Sequence, residues 1–128
     1  MFIKSKLLLI ISSSVELATG IAVFGAPNLV ASLLLSTTLT PGGEAIVRVG
    51  GAGLISLGIA CWPRRGDSNA HAIRALFVYN LLAGCYLGYL KFTGQFNSFL
   101  LLPACALHVL LAILFVQPAM QKSPDPAS

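Results

Sequence analysis

Long apolar stretches alternate with short polar segments along this chain. Four of the stretches approach the roughly 20 mostly apolar residues that a transmembrane helix needs. They cover residues 7–24, 45–62, 73–92 and 99–116. Backbone groups in lipid must form hydrogen bonds within their own segment, so the stretches are predicted to be helices. The pattern therefore predicts an all-α fold, a bundle of four transmembrane helices in one domain that spans residues 1–117.

The segments between the stretches differ in length. The longest covers residues 25–44 and contains PNLVASLLL, where Pro27 suits a first helical turn. Its apolar residues predict a short interfacial helix between spans one and two. Glu44 follows and suits the N-terminus of the second span. The loop GDSNA and the turn TGQFNS are short, so spans three and four are predicted to form an antiparallel hairpin. Residues 118–128 are predicted to form a flexible tail.

The composition supports lipid as the main solvent of this chain. Of its 128 residues, 56% are hydrophobic and 9% are charged, whereas a soluble domain has about 25% charged residues. So few charges exclude a soluble or a disordered chain. The sequence also has no phosphate loop, no nucleophile elbow and no HExxH motif. We therefore expect an integral membrane protein, which has no catalytic activity of its own and does not bind nucleic acid.

The basic residues predict the orientation of the chain. If the spans alternate in direction, six basic residues lie on one side, namely Lys4, Lys6, Arg64, Arg65, Arg74 and Lys122. Only Lys91 lies on the other side, so both termini are predicted to be cytoplasmic. Lys4 and Lys6 before LLLII also look like the start of a signal peptide. Because Glu16 interrupts that apolar stretch, we interpret it as a retained first helix.

Four polar residues lie within the predicted spans: Glu16, Arg48, Asn80 and His108. Each lies on a helix face rich in small residues, and such faces mark helix contacts in membranes. All four are therefore predicted to point into the bundle, and Tyr86 to add a hydroxyl there. One interpretation is a structural clamp, and the other is a ligand or proton site that uses Glu16 and His108. We favour an ion pair between Glu16 and Arg48, because Arg48 has no other partner within a span.

The cysteines and the histidine leave two cofactor alternatives open. Cys85, Cys105 and His108 are predicted at similar depth, so one alternative is that they bind a soft metal ion. We favour cysteines that act as small apolar fillers, and we predict no metal. Haem would need a second axial ligand, because His108 is the only histidine within a span. We therefore predict no cofactor and keep quinone and haem as alternatives.

Three motifs resemble a known family of small bacterial membrane proteins. They are VELATGIAVFGAPNLV, RVGGAGLISLGIACW and VYNLLAGCYLGYL. An acidic residue and glycine in span one, followed by Arg-Val-Gly-Gly in span two, resemble the DoxX-like four-helix proteins. The resemblance implies a bacterial inner-membrane location and a possible role as a subunit of a quinone-linked oxidoreductase. The position of Glu16 also resembles that of the essential glutamate of small multidrug exporters, although Arg48 and the long first connection do not fit that family.

Three classes of function follow from these observations. The first is a non-catalytic subunit or scaffold of a membrane complex, and we favour it. Its partners would be the lipid bilayer and either another membrane protein or further copies of the chain. The second is a proton-coupled carrier of small molecules that uses Glu16. The third is a quinone-binding component that uses His108, Tyr86 and Arg48. The first class predicts a packed midplane, whereas the second predicts an open cavity that reaches Glu16.

Overall fold

The computed structural model describes residues 2–65 and 69–121. These residues form five helices and contain no strand, so the predicted all-α fold is confirmed. Four of the helices are long and apolar enough to cross a membrane, as predicted. The helices are α1 (Phe2–Gly25), α2 (Pro27–Leu35), α3 (Pro41–Ala60), α4 (Ala70–Phe92) and α5 (Leu101–Met120).

The helix ends follow from a few local signals. Pro27 and Pro41 each occupy the first turn of a helix, where the missing N–H has no intrahelical partner to lose. The Thr40 side chain caps α3 by accepting a hydrogen bond from the Gly43 N–H at 3.1 Å. Ser36 ends α2 in the left-handed region, at a φ of 52°. The short helix expected between spans one and two is therefore present as α2.

Several helix boundaries differ from the predicted ones. The second span begins at Pro41 rather than at residue 45, and the third begins at Ala70 rather than at residue 73. α5 continues to Met120, so the segment predicted as a tail from residue 118 begins inside a helix. Pro118 lies in the last turn of α5, where the helix ends within two residues. Residues 122–128 lie outside the described residues.

The four long helices are arranged as two pairs, α1 with α3 and α4 with α5. Glycine allows the first pair to approach very closely: a Cβ atom at Gly51 would lie 2.6 Å from the backbone N of Phe24 and 2.9 Å from the carbonyl O of Gly20. In the second pair, a Cβ atom at Gly84 would lie 3.0 Å from Val109 Cγ2 and 3.2 Å from the backbone N of Val109. Each pair is thus held by backbone-to-backbone packing, as is typical of membrane helices.

The two pairs meet mainly through α1, at the end of the bundle where α1 begins. The buried apolar side chains at this contact come from all four long segments: Leu9, Cys61, Ile73, Leu76, Leu111 and Phe115. The same end carries the basic residues Lys4, Lys6, Arg64, Arg65 and Arg74, so we call it the basic end. This apolar core closes the bundle below the polar residues described next.

The opposite end of the bundle is joined by α2. Asn28 on α2 donates to Glu44 Oε2 at 3.1 Å and accepts from the Leu39 N–H at 2.9 Å. The Ser98 hydroxyl, which precedes α5, donates to the carbonyl of Leu33 near the end of α2. α2 therefore bridges the α1–α3 pair and the α4–α5 pair.

Candidate functional site

Four polar side chains form a closed cluster where the two helix pairs meet. Ser12, Ser13 and Glu16 come from one face of α1, and Asn80 comes from α4. All four residues are 0% exposed, so the surrounding helices enclose them fully. Positions 12, 13 and 16 are three and four residues apart, which places their side chains on the same side of a helix. We call these four residues the polar cluster.

Asn80 connects the two helix pairs through hydrogen bonds. Its Nδ2 donates to the carbonyl of Leu76 at 2.8 Å and to Ser12 Oγ at 3.3 Å. A carbonyl only accepts, so Leu76 fixes the orientation of the amide. Asn80 Oδ1 therefore faces His108 Nδ1, at 2.9 Å, and can only accept. His108 must then carry its proton on Nδ1, which leaves Nε2 as the basic nitrogen of the neutral ring.

Tyr79 places a second aromatic group beside the polar cluster. Its ring contacts the His108 ring edge-on, with the centroids 5.7 Å apart and an interplanar angle of 79°. Its hydroxyl faces the Glu16 carboxyl. Cys61, at the end of α3, lies within electrostatic range of the same carboxyl. Glu16 is thus faced by one ionisable side chain from α4 and one from the end of α3.

Among the residues that the structure describes, Glu16 has no ionic partner. Neither carboxyl oxygen has a hydrogen-bond partner of good geometry, and neither does the hydroxyl of Ser13 one turn earlier. A carboxyl group in the membrane interior must be paired, hydrated or protonated, because a bare charge there is expensive. No described residue forms an ion pair with Glu16, and its 0% exposure leaves it without water, so the first two states do not apply to this arrangement. We therefore infer that Glu16 is protonated in this closed arrangement.

The predicted ion pair between Glu16 and Arg48 is wrong. Arg48 Nη2 instead lies 2.7 Å from Glu44 Oε1, one turn earlier on α3, and its Nη1 donates to the carbonyl of Phe24 at the end of α1. Its side chain is 40% exposed. The physical reason is proximity, since residues i and i+4 are neighbours on a helix. Arg48 therefore belongs to the outer end of the bundle and lies outside the polar cluster.

The predicted contribution of Tyr86 to the bundle interior is also wrong. Tyr86 is 62% exposed, and its ring stacks on that of Tyr89 at a centroid distance of 6.4 Å. The tyrosine that reaches the polar cluster is Tyr79, seven residues or two turns earlier. Sequence reasoning missed this role, although Tyr79 directly precedes Asn80. The position of Tyr79 next to Asn80 indicates this role only when α4 is known to contact both α1 and α5.

The cysteines and His108 do not form the metal site that was kept as an alternative. Cys85 is exposed, whereas Cys105 is partly buried with its Sγ 3.5 Å from the Gly84 carbonyl. His108 faces Asn80 instead. Among the described residues, no three histidine, cysteine, aspartate or glutamate side chains are arranged to hold a metal ion.

Comparison of the chain with protein-family models, with curated proteins and with solved structures finds no match. The resemblance to DoxX-like proteins therefore stays a prediction from the three motifs quoted above.

Replacing Asn80 by leucine tests the hydrogen-bond chain. The variant leaves the Ser12 hydroxyl and His108 Nδ1 without their partner, and we expect it to lower the free energy of unfolding by about 1–2 kcal/mol. Unfolding in detergent micelles measures this loss. The exposed Asn97 provides the control, since Asn97→Leu is expected to change stability by less than about 0.5 kcal/mol.

The ¹⁵N shifts of the His108 ring should show Nδ1–H in the native chain and a mixture of tautomers in Asn80→Leu. The same tautomer in both would contradict the assignment.

Proposed function

We propose that this protein is a non-catalytic subunit or scaffold of a membrane complex. The observation that carries the proposal is the packed centre of the bundle, where Ser12, Ser13, Glu16 and Asn80 are all 0% exposed. A carrier or an enzyme would need space beside these groups for its substrate. A closed polar cluster instead fixes which helices meet and in which register, because each polar group restricts the helix arrangements in which its hydrogen bonds can form.

One face of α3 supports an assembly role. α3 packs mainly on α1 through Gly51 and Gly58, and its opposite face carries small residues that point away from the bundle. A Cβ atom built at Gly53 would meet nothing within 4 Å. Small residues on a membrane helix allow a close approach by another helix. We propose that a transmembrane helix of a partner protein packs on this outer face of α3, which is formed by Val49, Ala52, Gly53, Ser56 and Ala60.

Photo-crosslinking in intact cells tests the assembly. A photoreactive residue at position 53 is expected to give a protein adduct of discrete mass, whereas the same residue at Leu110, an exposed position on α5, is expected to give only lipid adducts. Gly53→Ile should abolish co-purification of the protein found in the adduct, because the bulky side chain prevents close approach. Equal adducts at both positions, or none at position 53, would contradict the proposal. An adduct of twice the chain mass would identify the partner as a second copy.

The proposal includes a location and an orientation. We propose the bacterial inner membrane, with both termini cytoplasmic, as the DoxX-like resemblance and the charge pattern suggest. Lys4, Lys6, Arg64, Arg65 and Arg74 are at the basic end, which supports a cytoplasmic position for that end. Lys91 lies near the opposite end. Arg48 also lies towards that end, where Glu44 neutralises its charge. A link to quinone chemistry, as in some DoxX relatives, belongs to the same proposal.

A further inference from the structure

A polar cavity lies at the basic end of the bundle, between the end of α3 and the first turn of α4. Its volume is about 280 Å³, close to the lower limit of small-ligand sites, which is about 300 Å³. Its walls are formed by Trp62, Arg64, Asn69 and His71, with three alanines between them. The small alanine side chains leave the cavity open, so the larger polar and aromatic groups surround a free space.

Asn69 fixes the shape of the polar cavity. Its side-chain Oδ1 accepts a hydrogen bond from the Arg64 N–H at 3.1 Å, and its Nδ2 donates to the Arg64 carbonyl at 3.4 Å. Asn69 adopts the left-handed conformation directly before α4, at a φ of 52°, which asparagine tolerates better than most residues. The backbone of Arg64 is therefore held against the start of α4, where His71 lies.

The charges around the polar cavity favour an anion. Arg64 and His71 contribute N–H donors to its walls, and none of its described lining residues is acidic. The positive end of the α4 dipole lies at the same place, because Ala70 begins that helix. The sequence has three arginines and one acid, Asp67, between residues 62 and 74. Arg64 forms no ion pair with another described residue, so its charge is free to bind a ligand.

A second cavity, which is apolar, adjoins the polar one. Its volume is about 350 Å³, and it is lined by Leu17 on α1, Ile59 in the last turn of α3, Trp62 and Arg64. Trp62 and Arg64 are thus walls of both cavities. Ile59 is 63% exposed, so the apolar cavity opens towards the acyl chains of a surrounding membrane. A free anion would use only the polar cavity, whereas a molecule with an anionic group and a hydrocarbon chain fits both.

We propose that the two cavities together bind one anionic phospholipid. Its phosphate lies beside Arg64 and His71, since a guanidinium group matches the geometry of phosphate oxygens. Its acyl chain follows Ile59 and Leu17. Trp62 lies between these two parts, at the depth of the lipid interface where tryptophan is enriched.

The lining of the polar cavity also distinguishes between classes of phospholipid. A zwitterionic lipid would bring a cationic ammonium group as well as a phosphate, and the described lining offers that group no carboxylate. An anionic lipid such as phosphatidylglycerol has no such group to place. The site does not require a partner helix on α3, and it is tested on the purified chain, so this proposal and the assembly role can fail separately.

The fluorescence of Trp62 reports on the site, because Trp62 is the only tryptophan of the chain. The full chain is reconstituted in vesicles of one fixed mixture of phosphatidylglycerol and phosphatidylcholine, in which either lipid carries bromine atoms on its acyl chains. Bromine quenches tryptophan only at short range. We expect phosphatidylglycerol to be enriched around Trp62 about fivefold over phosphatidylcholine, the preference that one arginine near a membrane surface typically gives. Quenching that only follows the composition of the vesicle would overturn the proposal.

Matched variants separate a site from general attraction to the basic end. Arg64→Gln is expected to remove most of the enrichment. Arg65→Gln removes the same charge from the next residue, which lines neither cavity, and is expected to keep most of it. Both arginines are exposed, so both variants are expected to fold. Ala70→Leu fills the polar cavity without changing any charge, and it should lower the enrichment as Arg64→Gln does. Equal losses in Arg64→Gln and Arg65→Gln, or full enrichment in Ala70→Leu, would contradict a site in the cavity.

Free phosphate distinguishes a lipid from a soluble anion. Sodium phosphate is added to the vesicles and compared with sodium chloride at the same ionic strength. We expect phosphate to leave the quenching by brominated phosphatidylglycerol unchanged, because it cannot fill the apolar cavity. Recovery of the Trp62 fluorescence in phosphate alone would show that the polar cavity takes a free anion, and it would overturn the assignment to a lipid. Both leaflets of the vesicles have the same composition, so the result does not depend on the proposed orientation.

Discussion

Replacing Gly51 by alanine is expected to destabilise the bundle by at least about 1–3 kcal/mol, the range typical of overpacking. The added methyl group would lie 2.6 Å from the backbone N of Phe24 and 2.9 Å from the carbonyl O of Gly20. Both atoms belong to the backbone of α1, so no side-chain rotation can relieve the contact. The two helices must move apart, and the other close contacts of the pair are lost with them.

A matched control lies two residues away. Gly53 is on the same helix, and a Cβ atom there would meet nothing within 4 Å. Gly53→Ala is therefore expected to be neutral or to stabilise the chain by about 0.5–1 kcal/mol, since alanine favours a helix over glycine. Unfolding of both variants in the same detergent gives the comparison. Equal losses of stability in the two variants would show that glycine flexibility matters at these positions, and that close approach to α1 does not.

The secondary structure could be predicted from the sequence because lipid imposes a strict rule. Each apolar stretch had to be a helix, and Pro27 marked where α2 begins. The boundaries were less accurate because polar residues continue a helix beyond its apolar part. α3 shows this, since Gly42, Gly43 and Glu44 extend it past the predicted start.

The polar residues show which part of the site could be predicted. Glu16 and Asn80 each lie beside small residues on one helix face, and the structure places both in the interior. Arg48 follows the same pattern, but Glu44, a neighbour four residues earlier on its own helix, binds it at the surface. Glu44 had been interpreted only through its position at the helix N-terminus, so its value as a partner was missed. Periodicity indicates the helix face on which a residue lies. The choice between two carboxylate partners depends on distances between atoms, which periodicity does not give.

Tyr79 and Tyr86 show a second reason why part of the predicted site was wrong. A single apolar or small-residue face predicts one contact side for a helix. α4, however, contacts both α1 and α5, so Asn80 reaches Ser12 on α1 while the ring of Tyr79, one position earlier, packs on His108 of α5. Tyr86 has no such partner across a helix contact and stacks on Tyr89 instead. The number of neighbours around a helix is a property of the whole bundle, which local patterns do not encode.

Replacing Glu16 by lysine is expected to prevent assembly of the bundle, whereas Glu16→Gln is expected to leave it intact. Lysine at the centre of a transmembrane helix costs about 2.5–3.5 kcal/mol even on scales of membrane insertion, and the polar cluster offers it no acidic partner. Glutamine carries no charge and matches the shape of a protonated carboxyl, so the packing around position 16 is preserved. Size-exclusion chromatography and unfolding in detergent compare the two variants.

The native Glu16 side chain is expected to be protonated in the closed bundle. At neutral pH, the infrared spectrum of the native chain should contain the C=O band of a protonated carboxyl. That band should be absent in Glu16→Gln and present in Glu44→Gln, because Glu44 is ion-paired with Arg48 at the outer end. Protonation is expected because Glu16 is fully enclosed and Arg48 does not reach it. A native spectrum without the band would mean that Glu16 carries its charge inside the closed cluster. In that case, a strong loss of stability in Glu16→Gln would show that this charge holds the helices together.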